Sequence, residues 1–103
     1  MKHTCHARGC ETPCRPQYLM CPRHWRRVHP TIQRLVYRHY REGQCDDKLP
    51  SEAWHTAADA AIGYVATLED HPLRMAELNA LNECGFGVEE HKGGLKAVFR
   101  GDA

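Results

Sequence analysis

Cys5-His6-Ala7-Arg8-Gly9-Cys10, separated by ten intervening residues from Cys21-Pro22-Arg23-His24, is the stretch on which the fold turns. Cys-x4-Cys and Cys-x2-His are two ligand pairs separated by a loop, an arrangement by which a short chain offers tetrahedral sulfur and nitrogen donors to zinc. Cys5, Cys10, Cys21 and His24 are therefore the expected ligands of one structural zinc ion. Cys14 is the alternative to Cys10, and His3 and His6 are spare donors. The segment is rich in Cys, His, Pro and Arg and has no hydrophobic periodicity, so a knuckle organised by a metal is expected over 1–29. Four protein donors would fill the shell, and Glu11 is the one carboxylate nearby. A catalytic zinc would instead need an open coordination position and a general base.

The whole chain has 103 residues, a size at which a core buries limited apolar surface and a metal adds needed stability. Loss of Cys21 or His24 is then expected to unfold the first 29 residues. Four of the six cysteines fall between positions 5 and 21, while Cys45 and Cys84 are isolated. No apolar run approaches the ~20 residues of a membrane span, and the start of the chain carries no hydrophobic secretion signal. The reading is a cytoplasmic protein with reduced thiols, which favours metal chemistry over disulfides. Cys45 stands beside Asp46 and Asp47, which disfavour its thiolate.

Beyond the knuckle, Pro30 suits a first helical position, and Ile32, Leu35, Val36 and Tyr40 (or His39) fall on one stripe of a helix expected to end at Gly43. Ser51 and Glu52 open a second, Ala-rich helix running to about Glu69. Its expected buried positions are Ala53 or Trp54, Ala57, Ala58, Ala61, Tyr64, Val65 and Leu68, and its small residues offer a face for another helix or a second copy of the chain. Pro72 stops it. A third helix over 73–84 would bury Leu73, Ala76, Leu78 or Ala80, and Leu81, and end at Gly85. Segments 86–91 and 95–100 flank Gly93-Gly94, a hairpin signal. The predicted architecture is mainly α with a small β part (α+β). A zinc knuckle (1–29), a two-helix segment (30–71) and a helix plus β-hairpin (72–103) together make one compact unit.

The net charge of +1 conceals a division at Arg41: nine Lys or Arg and one acid over residues 1–41, five bases and twelve acids over 42–103. Arg23, Arg26, Arg27, Arg34, Arg38 and Arg41 recur at three-, four- and seven-residue intervals among Trp25, Tyr37 and Tyr40. Such a surface can hold phosphates and stack a base, unless the acids of the second half neutralise it internally. Asp46, Asp47, Glu52 and Asp59, with Glu69 and Asp70, form a candidate acidic face for a basic groove that normally receives nucleic acid. His39, His55, His71 and His91 are scattered and read as ordinary histidines. No nucleophile elbow, phosphate-binding glycine loop or paired catalytic carboxylate is present.

Cys-x4-Cys with the later Leu-Met-Cys-Pro-Arg-His-Trp-Arg, residues 19–26, resembles the short zinc-binding segments of phage and mobile-element proteins, some of which precede the catalytic part of HNH homing endonucleases. The resemblance spans roughly residues 5–27. It implies a small phage or prophage accessory protein that inhibits a host nucleoprotein defence complex, such as a CRISPR surveillance complex, by blocking nucleic-acid access. A zinc-finger-like DNA or RNA regulator is the alternative, and a metal-dependent nuclease the second alternative. The nuclease is not expected, because the only asparagines, Asn79 and Asn82, lie in the third helix and the hairpin offers only His91.

Overall fold

The computed structural model describes residues 3–15, 18–40, 51–91 and 94–100. Arg41, Gly43, Cys45, Asp46, Asp47 and Gly93 lie outside them. Among the described residues the fold is α+β: four helices precede a two-stranded antiparallel hairpin.

The chain begins by folding back on itself. Cys5 N–H donates to Thr12 O (2.9 Å) and Cys14 N–H to His3 O (3.0 Å) around a Thr4–Pro13 bridge, so residues 3–5 run antiparallel to 12–14. Gly9 turns the intervening loop at φ +79°, a conformation that costs a residue with a Cβ more than it costs glycine. Cys10 N–H then closes on Ala7 O at 3.0 Å. A third segment joins where His6 N–H donates to Leu19 O (3.0 Å), which brings Cys21 beside Cys5.

Proline opens the next two helices, since its missing N–H is no loss in a first turn. α1 is Pro22–Trp25 and α2 is Pro30–His39. The N-cap of α2 is His29, whose Nδ1 accepts from Thr31 N–H at 3.1 Å. Ile32 and Val36 of α2 are buried and Leu35 is partly so. The helix stops at His39, short of the expected Gly43, because Tyr40 is extended (φ −67°, ψ 124°) and lines an apolar cleft with Trp25 and Tyr37.

α3, Glu52–Leu68, starts as predicted, with Ser51 Oγ accepting from Trp54 N–H at 3.1 Å. It lies at the centre of the molecule, against α2, a fourth helix and the hairpin. Ala57, Ala58, Ala61 and Val65 are buried as expected, but so are Ala60, Gly63, Ala66 and Thr67. Small residues bury more of this helix than a single stripe would allow. Ala53 and Leu68 are correspondingly exposed, and Trp54 and Tyr64 half-buried. Asp70 leaves the helix at φ +58°, and Pro72 prevents its resumption.

α4 is Met75–Glu83, starting two residues later than predicted. Its buried set is Glu77, Ala80 and Leu81; Ala76 is exposed, and Leu73 packs on the core from the preceding loop. A carboxylate occupies the predicted apolar stripe because Arg74 N–H donates to Glu77 Oε1 at 3.0 Å and the Arg8 guanidinium pairs with the same oxygen. Gly85, at φ +90°, ends α4 as expected. β1 (Phe86–His91) pairs with β2 (Gly94–Phe99) in the register Phe86↔Phe99 to His91↔Gly94. Gly94 is thus the first strand residue and not part of the turn. Its φ of +140° is a conformation that side chains with a Cβ rarely adopt, and this favours glycine here; the nearest atom a Cβ would meet, Asp70 Oδ1 at 2.9 Å, is the tip of an exposed side chain that can move aside.

Candidate metal centre and basic aromatic surface

The knuckle and α1 bring Cys5, Cys10, Cys21 and His24 together, with one donor atom of each lying within 4.8 Å of every other. Cys5, Cys21 and His24 are buried and Cys10 half-buried. His24 presents Nδ1 to the thiols, 3.6 Å from Cys5 Sγ and 3.4 Å from Cys21 Sγ. A tetrahedral ion with bonds of ~2.3 Å to sulfur and ~2.0–2.1 Å to nitrogen would set those separations at about 3.6 Å. The four side chains are therefore close enough, and of the right chemistry, to hold a metal ion.

Surrounding groups orient these donors. Ala7 N–H donates to Cys5 Sγ at 3.4 Å, and Thr12 Oγ1 lies 3.2 Å from Cys10 Sγ. His24 Nε2 lies 3.3 Å from Glu69 Oε2, the carboxylate–imidazole contact that fixes a ligating ring and raises its basicity. Arg27 Nη1 reaches the same Glu69 oxygen at 3.2 Å.

Ionisation of the thiols is uneven. Burial pushes Cys5 up to about 11. Burial raises Cys21 too, but the backbone N–H and ring of His24 and the neighbouring thiols outweigh it and bring Cys21 down to about 6. For His24, burial favours the neutral ring, yet the contacts to Cys21 and Glu69 prevail and raise its value. A bound cation would favour the thiolate at every cysteine of the set.

Cys14 stands outside this group. Its Sγ is 3.5 Å from His3 Nδ1, and His3 Nε2 is 3.0 Å from His6 Nε2, so the three spare donors cluster with one another.

Trp25 and Tyr37, singled out by their spacing, meet edge to face at 5.6 Å, and Trp25 Nε1–H donates to Tyr37 Oη at 3.0 Å. With Tyr18, Met20, Val36 and Tyr40 they line a cleft of about 530 Å³. Arg23, Arg26, Arg34 and Arg38 are exposed, and among the described residues Arg27 alone of the predicted arginines meets an acid. The acidic candidates are less uniform. Glu52 is exposed, whereas Asp59 is half-buried, its carboxyl raised above the usual range by burial and then by Glu77.

Sequence reasoning assigned no role to Arg8 or Glu77 and saw Glu69 only as surface charge. Glu69 meets His24 across 45 positions and Glu77 meets Arg8 across 69, separations at which no local spacing gives a signal. Tyr18 was also missed, although an aromatic residue three positions before Cys21 was there to be read.

No protein-family model, curated protein or solved structure matches the chain. No helix of the described residues is long and apolar enough to cross a membrane.

Proposed function

We propose that this chain is a non-enzymatic, zinc-stabilised nucleic-acid-binding protein, in which one zinc ion on Cys5, Cys10, Cys21 and His24 fixes a basic surface formed by α1 and α2. Three thiolates and an imidazole suit zinc among the common divalent metals, and four protein donors leave no position open for a substrate. The observation that carries the reading is the set of exposed arginines, Arg23, Arg26, Arg34 and Arg38, which meet no acid among the described residues. Arg34 and Arg38 stand one turn apart on α2 with Tyr37 between them, a spacing that follows a phosphate backbone.

Inhibition of a host nucleoprotein defence complex, the function implied by the phage-like front end, is open to contact through either half, and contact through the acidic half needs an open acidic face. Within the described residues Asp59 is half-buried and Glu69 is held by His24 and Arg27, which leaves Glu52 and Asp70 as the exposed members of the candidate acids. The basic surface is accordingly preferred as the contact. A titration of the zinc-loaded protein with labelled DNA and RNA over a range of salt tests this. Affinity is expected to fall linearly on logarithmic axes. Arg34→Ala with Arg38→Ala should flatten the slope by roughly 0.7–0.9 per arginine. Absence of binding at low salt refutes the proposal.

A further inference from the structure

Tyr37 is 64% exposed and Tyr18 51%, although both line the cleft between the knuckle and α2. Two exposed rings on one cleft give a ligand apolar surface to cover. Its walls are held in place: Trp25 is fixed by the bond to Tyr37 and by Gln33 Nε2, which donates to the Trp25 carbonyl at 2.7 Å. Arg34 and Arg38 do not line the cleft, but they lie three positions before and one after Tyr37 on α2 and are exposed, which puts positive charge on the same helix as the exposed ring. Aromatic faces beside guanidinium groups that meet no acid among the described residues match a flat, electron-rich ring attached to a phosphate chain.

We infer that the cleft takes an unpaired base and that the protein therefore binds single-stranded nucleic acid through its bases as well as its phosphates. The inference rests on the basic-surface reading and narrows it. A base inside a duplex has both faces covered by its neighbours; an unpaired base can offer a face to Tyr37, Trp25 or Tyr18. Such stacking tolerates any sequence, so broad sequence tolerance is expected.

The test uses the full zinc-loaded chain and three labelled oligonucleotides of equal length at one salt concentration: a single strand, the same strand with abasic sites, and the duplex. RNA and DNA single strands are both used. The abasic strand is the sharper control, because a duplex carries more phosphate charge and partly offsets its lack of free bases. The base-bearing strand is expected to bind about tenfold or more tightly than the abasic one. Tyr37→Ala should erase that difference while leaving affinity for the abasic strand unchanged. Tyr18→Ala should reduce it, and an unchanged thermal melt would show that each variant is folded. Equal, salt-sensitive affinity for the base-bearing and abasic strands overturns the cleft assignment and leaves the arginine surface standing. Persistence of the difference in both tyrosine variants also overturns it. Failure to bind any strand overturns both readings, and a concentration-dependent dimer abolished by Tyr37→Ala would give the cleft to a second copy of the chain.

Discussion

Arg8 and Glu77 join the knuckle to α4, and their burial is unequal: the Glu77 side chain is 4% exposed and that of Arg8 21%. Replacing one partner of a buried ion pair strands the other, and the cost follows the burial of whichever charge is left. Arg8→Met leaves a carboxylate with little access to water and is expected to lose about 3 kcal/mol or more. Glu77→Gln leaves a guanidinium that can turn outward, so a loss of about 1 kcal/mol is expected. Urea unfolding of the two variants at neutral pH measures this asymmetry. Asp59 supplies a pH-dependent counterpart. Burial and the nearby Glu77 raise its pKa in the folded chain above the ordinary 3.8. The folded state thus binds that proton more tightly than the unfolded state, and stability falls as pH rises from the ordinary value through the raised one. Asp59→Asn is expected to melt above the parent protein at pH 7, with the difference closing as pH approaches 3.8. A difference that does not change with pH, in calorimetric scans across that interval, would assign the effect to something other than ionisation.

α3 and α4 approach closely at Gly63, where an added Cβ would stand 2.9 Å from Glu77 Cβ and 3.3 Å from Leu81 Cδ1. Alanine would favour the helix by about 1 kcal/mol, whereas overpacking a tight contact costs about 1–3 kcal/mol. Because the nearest atom is the base of a side chain held on its own helix, overpacking is expected to dominate, with a net loss of about 1 kcal/mol in Gly63→Ala. A stabilised variant would mean that the helices pack further apart. The elements themselves were legible where local chemistry sets them: Pro30 and Ser51 start helices, Gly85 ends one, and the segment after it pairs as a hairpin. Helix phase was less legible. Periodicity assigns a glutamate to the surface, so Glu77 displaced Ala76 from the expected stripe, where it takes the Arg74 N–H at the start of α4 and pairs with the distant Arg8. Leu68 was placed inside for the converse reason. A run of small residues buries several faces of α3, and the hydrophobic side chain that follows falls out of phase.

At the scale of the molecule, the knuckle shares its core with the helices. Cys5, Ala7, Leu19, Met20 and Val28 belong to the same buried cluster as Ala57, Ala61, Leu81 and Phe86. The four candidate ligands were legible because their spacing is itself the signal; the contacts from Glu69 to His24 and from Glu77 to Arg8 were not, because they depend on how the helices return to the knuckle. Those contacts alter the expected consequence of metal loss. Structural zinc in small peptides contributes an apparent ~10–16 kcal/mol, comparable to the ~5–15 kcal/mol total stability of a domain. Cys21→Ser is therefore expected to abolish the cooperative thermal transition of the whole chain and most of its helical circular dichroism, and not merely to loosen residues 1–29. A helical signal that survives with its own melt would separate the knuckle from the helices. The most direct measurement is the zinc content of the parent protein, Cys10→Ser and Cys14→Ser by native mass spectrometry after challenge with a chelator. One zinc per chain is expected in the parent and in Cys14→Ser, and none in Cys10→Ser. Retention in Cys10→Ser with loss in Cys14→Ser, or no zinc in the parent protein, would contradict the centre formed by Cys5, Cys10, Cys21 and His24.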